Sequence, residues 1–302
     1  MKINFWLLLL LSLLNTNLLA QVDDSLFTRL QAISNNGVDF FNVDGIEITS
    51  QNMPGEFSKK NILKKYKRYN IKESDLVVSD SILGGQNYVV SKSEEIITGT
   101  VQYTSYYFIE NNTGGITAIT FGGFHPGDKD FERNLTQLIL NKKIPSSLFH
   151  RIEIDSINFA GRMIKLGGSC HWMGINNVQC PYNGQMNWSV HKTLVGASAG
   201  ITDQYNLIKS KKVGKILSED TVDILFEGKP AKAIKAVYDI KGVKSLLVGM
   251  SGAKTLTVYF VAAPATLYYV SCVMSFWDND LIGKDGLPAL LQEVMQLNVP
   301  KS

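Results

Sequence analysis

The chain has 302 residues, 45% of them hydrophobic and 19% charged, with a formal net charge of +3. That composition excludes a disordered chain, and so small a net charge does not imply a nucleic-acid partner, so none is expected. The length accommodates two domains of ordinary size.

Lys2, the apolar run Phe5 to Leu14 and Leu18-Leu19-Ala20 form a secretory signal peptide, residues 1–20, with cleavage expected after Ala20. The run is too short to span a bilayer as a helix, and no later stretch reads as a transmembrane segment. The mature protein is therefore expected to be exported, periplasmic or secreted. Residues 22–36 read as a helix with Leu26, Leu30 and Ile33 on one face, ended by Gly37. Asp44-Gly45 between apolar runs predicts a hairpin with a type I′ turn. Residues 58–69 read as a basic helix with Ile62, Leu63 and Tyr66 inward and Lys59, Lys60, Lys64, Lys65, Lys67 and Arg68 outward; such a run is usually a solvated face and alternatively an anion-binding one. From Leu76 to Phe121 the pattern is that of strands, Tyr88–Val90, Ile96–Ile109 and Ile116–Phe121. Asp130 opens a helix.

The second half repeats this plan. Ile157-Asn158-Phe159-Ala160-Gly161 matches Phe41-Asn42-Val43-Asp44-Gly45, and 116–147 align without a gap on 271–302. The offset is 116 residues at the start and 155 at the end, so the second copy carries a 39-residue insertion. After a helix expected over 189–211, strands are expected at 222–226, 233–238, 245–249, 255–262 and 266–276. The fold class expected is α+β: two tandem units, 21–149 and 150–302, each an antiparallel sheet with a closing C-terminal helix.

The insertion contains the richest stretch, Cys170 to Trp188, CHWMGINNVQCPYNGQMNW. Three cysteines in an exported chain allow one disulfide, with Cys170–Cys180 the first choice, Cys180–Cys272 the second, and one thiol left over. Side-chain amides beside aromatic faces suit a neutral polar ligand such as a sugar or peptide, because amides pair donors with acceptors and rings offer stacking area. The candidate binding residues are Trp172, Asn177, Gln179, Gln185, Asn187 and Trp188. The bland alternative is that the Asn and Gly residues shape turns while the tryptophans fill core.

Other motifs fare less well. Gly196-Ala197-Ser198-Ala199-Gly200 matches a nucleophile elbow, but all four histidines precede Ser198, which excludes the hydrolase order. Cys170-His171, Cys180 and His191 lack the close cysteine spacing of structural zinc sites. Asp278-Asn279-Asp280 starts like a calcium loop, but Ile282 and Ala289 fall at ligand positions. Asp130 and Asp285 read as helix caps. No metal, cofactor or catalytic residue is therefore assigned. The functional expectation is a non-catalytic binding or interaction protein using the 170–188 loop, toward a polar ligand or an envelope protein. The alternatives are an enzyme using Cys170 or Cys180 with His171 or His191, and a purely structural envelope component.

Overall fold

The computed structural model describes residues 25–150, 155–167, 170–210, 214–240 and 252–297. The signal-peptide assignment and the strand expected at 245–249 lie outside them. The described chain is mostly β, which corrects the α+β expectation. Two large sheets carry it, together with a separate two-stranded hairpin and five α-helices.

The described residues open with helix α1 (Ser25–Arg29), then β1 (Gln31–Asn35), β2 (Val38–Val43) and β3 (Ile46–Glu56). The helix expected over 22–36 therefore stops at Arg29. Leu26, Leu30 and Ile33 are all buried as expected, but Ile33 is buried from a strand. The decisive signal is Asn36-Gly37, whose φ values of 50° and 77° form a hairpin turn rather than a helix stop. Asp44-Gly45 makes the second turn of the same kind, with φ values of 51° and 79°.

Helix α2 (Lys59–Lys65) follows, capped by Ser58, whose side chain accepts from the Asn61 amide. The chain continues through β4 (Asn87–Ile97), β5 (Thr100–Glu110), β6 (Gly115–Gly123) and helix α3 (Lys129–Leu140), and ends this half with β7 (Phe149–His150). The first sheet has the order β4-β5-β6-β3-β2-β1-β7. One face packs on α1 and α3 through Leu26, Phe41, Ile48, Tyr107, Phe121 and Leu135. The other packs on α2 through Met53, Ile62, Tyr66, Tyr106 and Phe108.

The second half opens with the hairpin β8 (Ser156–Phe159) and β9 (Arg162–Lys165). It continues with β10 (His171–Gly174), β11 (Asn177–Cys180), β12 (Gly184–His191), helix α4 (Leu194–Ser210), β13 (Lys215–Phe226), β14 (Lys229–Asp239), β15 (Thr255–Pro264) and β16 (Tyr269–Trp277). The closing helix expected here shrinks to α5 (Ala289–Gln292), after which the chain returns to strand in β17 (Met295–Leu297). Pro288 fixes its start, and Leu287, Leu290, Leu291, Val294 and Met295 are all buried at the spacing of a helix face, so periodicity alone does not reveal the return to strand. Asp285 caps nothing, and the cap of α3 is Asp128 rather than Asp130.

The second sheet runs β10-β11-β12-β16-β15-β14-β13-β17. One face packs on the β8–β9 hairpin and α5 around Phe159, Trp188, Phe226, Tyr259 and Cys272. The other packs on α4 around Ile201, Tyr238, Val258 and Phe260. In both sheets a three-strand meander leads to a strand that pairs with the last strand of the next meander, β3 with β6 and β12 with β16.

The sheets meet at the Asp44-Gly45 turn. The Asp44 amide donates to the Val190 carbonyl at 2.9 Å, and the Lys192 amide donates to Asp44 Oδ1 at 2.8 Å. Arg29 clamps the same carboxylate through Nε at 3.2 Å and Nη2 at 3.0 Å.

Trp188 is 1% exposed and touches Phe159 and Trp172. Trp188→Ala is expected to lower the unfolding free energy by about 3–5 kcal/mol, read from the urea midpoint at unchanged slope.

Candidate functional site

The 170–188 stretch forms a three-strand ribbon at one edge of the second sheet. β10 pairs with β11 around the Ile175-Asn176 turn, and β11 with β12 around Pro181-Tyr182-Asn183. Asn176 and Tyr182 take left-handed conformations there, with φ of 56° and 64°. Cys170 and Cys180 are disulfide-bonded, with Cα atoms 4.0 Å apart. Cys272 is free and buried.

Register then sorts the candidate residues. Asn177 lies opposite Asn187, Val178 opposite Met186, Gln179 opposite Gln185 and Cys180 opposite Gly184. Because successive side chains alternate faces, all four amides share one face and Val178, Cys180, Met186 and Trp188 share the other. The inner set belongs to the main core, and half-buried Trp172 packs against it, its ring centre 6.0 Å from those of Trp188 and of His150. Asn177, Gln179, Gln185 and Asn187 are half-buried on the outer face, beside the area covered by α4. The structure thus brings four candidates together and puts the two tryptophans behind them.

Two cavities border this face. A groove of about 190 Å³ holds Gln179 and Gln185 with Tyr182, Trp277, Asn279 and Asp280. Tyr182 is 63% exposed, and its carbonyl accepts from the Leu281 amide at 2.7 Å. Asp280 Oδ2 accepts from the Trp277 amide at 2.9 Å, and burial pushes its carboxyl pKa above the usual range. Trp277 carries no motif, and Asp280 belongs to the calcium-like start that the sequence discounts. Only the pairing of Gln185 with Ser275 brings them beside the amides, and a register of that kind is not written in local sequence.

A larger cavity of about 690 Å³ lies between the sheets, reached by Asn187 and Ser189 from one side and by Glu47, Tyr103 and the 122–128 loop from the other. His125 Nε2 meets Asp203 Oδ2 across it at 3.1 Å. Asp203 is raised by desolvation, a change that His125 opposes. At its first-sheet wall Glu132, 2% exposed, accepts from Ser105 at 3.0 Å, Tyr107 at 2.7 Å and Lys129 at 2.8 Å. That burial and that bond raise the Tyr107 phenol.

The chemistry of the sequence alternatives changes with this geometry. Both sulfurs of the thiol reading are bonded to each other, so neither is a nucleophile while the bridge is intact. His191 faces away from them and bonds Ser271 at 2.9 Å. The Gly-Ala-Ser-Ala-Gly segment is part of α4, where Gly196 and Gly200 let the helix lie directly on His191. A Cβ at Gly200 would come within 3.3 Å of the imidazole and 3.4 Å of Ser271 Oγ. Asp278 and Asp280 bond the Lys254 and Trp277 amides as turn acceptors. Among the described residues no group of three or more His, Cys, Asp or Glu could hold a metal ion.

With the geometry in hand, comparison with known proteins adds little. No family model matches the chain, and a search of curated proteins finds no match either. Among solved structures, a chain of the Tle4–Tli4 complex is similar over 86% of this chain and 90% of that one, at 9% identity and a TM-score of 0.26. The di-domain ARO/CYC StfQ from the steffimycin biosynthetic pathway is similar over 82% and 73%, at 10% identity and a TM-score of 0.16. At those scores neither likeness defines the fold or the function.

Burial under α4 holds the His191 pKa down to about 4, and the nearby Asp44 charge offsets this in part. The unfolded chain binds that proton near pH 6.5. Stability contributed by neutral His191 is therefore complete above about pH 6.5 and falls as the pH drops toward 4, by roughly 3 kcal/mol over the window. Urea unfolding at pH 7 and pH 4.5 should show this loss in the wild type and a clearly shallower one in His191→Gln.

Proposed function

We propose that the protein is an exported, non-catalytic binding or interaction protein whose contact surface is the outer face of the 170–188 ribbon. Asn177, Gln179, Gln185 and Asn187 supply the polar contacts. Trp172 and Trp188 act from behind, stiffening the ribbon through the core. The observation that carries this reading is the β11–β12 register, which gathers four amides on one half-open face while the opposite face is pinned by a disulfide and buried. Preorganised amides lose little freedom when a ligand binds, and each presents donors and an acceptor in fixed directions. The neighbouring groove adds Tyr182 and Trp277, which are stacking surfaces for a sugar ring or a peptide plane.

The disulfide fits an oxidising compartment, and among the described residues no helix is long and apolar enough to cross a membrane. Those two facts support export, which the signal-peptide reading of residues 1–20 makes specific. The two large sheets, one formed by strands within 31–150 and the other by strands within 171–297, support two units, 21–149 and 150–302. The partner's chemistry is that of a neutral polar group, whether a glycan or the uncharged strand of an envelope protein.

The test is a side-chain amide NMR titration of the mature protein with neutral N-acetylated oligosaccharides and uncharged peptides. The Gln179 and Gln185 side-chain NH₂ signals should shift selectively, and Gln179→Ala with Gln185→Ala should weaken binding about tenfold, as loss of two hydrogen bonds implies. Unmoved ribbon amides across the whole panel would favour the structural-component alternative.

A further inference from the structure

Between Glu56 and Glu73 the chain holds seven basic residues and no carboxylate. Five of the lysines are Lys59, Lys60, Lys64 and Lys65 on α2 and Lys67 in the turn after it, and Lys72 follows. Lys60, Lys64, Lys65, Lys67 and Lys72 are exposed, and among the described residues none of these five forms an ion pair. Elsewhere in the protein Lys92, Lys129, Lys209 and Lys232 each meet a carboxylate. The basic surface is therefore not consumed by the fold. Ile62 and Tyr66 anchor it from below, in the same cluster as Leu76.

Exposed apolar side chains follow these charges closely in the chain. Tyr69 ends the turn after α2, its ring tilted against that of Tyr66 at 5.3 Å, and is 38% exposed. Val77 and Val78 directly follow buried Leu76 and are 69% and 56% exposed. Lysines are strongly hydrated point charges that suit a diffuse negative surface better than bidentate recognition of one phosphate. Tyrosine and aliphatic side chains beside such lysines find their place at the headgroup boundary of a bilayer, which an acidic polysaccharide does not offer.

We propose that this surface, α2 with Tyr69, Val77 and Val78, docks the protein reversibly on an anionic lipid bilayer. It is independent of the ribbon, so the mature protein would hold a membrane surface with one unit and present its amide face with the other. Docking is peripheral, because charge attraction and a few shallow apolar side chains carry it.

The experiment is sedimentation of the mature protein with phosphatidylglycerol or phosphatidylcholine vesicles at low and physiological salt. Binding is expected to phosphatidylglycerol only, and to fall with salt. Lys60→Gln, Lys64→Gln and Lys65→Gln together should reduce partitioning about a hundredfold, at roughly fivefold per lysine, with an unchanged thermal midpoint. Val77→Ser with Val78→Ser should weaken vesicle binding while sparing retention on heparin. Equal binding to both lipids, or a triple variant that partitions like the wild type, would overturn the proposal. So would heparin binding without any vesicle binding, which would reassign the surface to a soluble polyanion.

Discussion

Asp44 is where the two sheets become one structure. Its carboxylate takes two bonds from Arg29 and one from the Lys192 amide, and its own amide reaches the Val190 carbonyl. Arg29 is 4% exposed, lies over the Tyr268 ring at 5.5 Å and also bonds Ser25. A buried guanidinium is stable only with its counter-charge and hydrogen bonds in place. The turn geometry is part of the same constraint. Asp44 needs a left-handed conformation to bring its backbone and side chain to β12 together, and a Cβ at Gly45 would press on His191 at 3.1 Å.

The site inherits its shape from that node. β12 is held by Asp44 at its Val190–Lys192 end and leads back, residue by alternate residue, through His191, Ser189, Asn187 and Gln185 on one face. α4 covers the first part of this row and leaves the amide end half-open. The cleft between the sheets opens where the Asp44 contact stops, and His125 and Asp203 meet across it. Ribbon, cleft and buried histidine are thus consequences of one docking geometry. The disulfide performs a separate local task, tying β10 to β11 against the core so that an edge ribbon keeps its register.

Several of these features were legible in residues alone. The Asp44-Gly45 turn, the inward face of α2, the helix with glycines over 194–210 and the Cys170–Cys180 bridge all follow from local chemistry. The fold class did not follow. Leu26, Leu30 and Ile33 fit a helical period, yet the Asn36-Gly37 turn turned the second part of that run into a strand. At the C-terminus the strand expected over 266–276 is β16, but the helix expected after it has only four residues before the chain returns to strand in β17. In the ribbon, composition grouped amides with tryptophans. Strand alternation separates them, and that depends on pairing partners tens of residues away, such as Ser275 and Cys272.

The most direct test is residue-resolved amide hydrogen exchange in the wild type and in Asp44→Asn, read at 42–46, 188–193 and β15–β16. Asparagine keeps the left-handed turn and the side-chain size but removes the charge that Arg29 requires. The account predicts that the Lys192 and Asp44 amides lose at least tenfold of their protection while the β15–β16 amides keep theirs. Unchanged protection at Lys192 would contradict it, because the two sheets would then be held together by something other than Asp44.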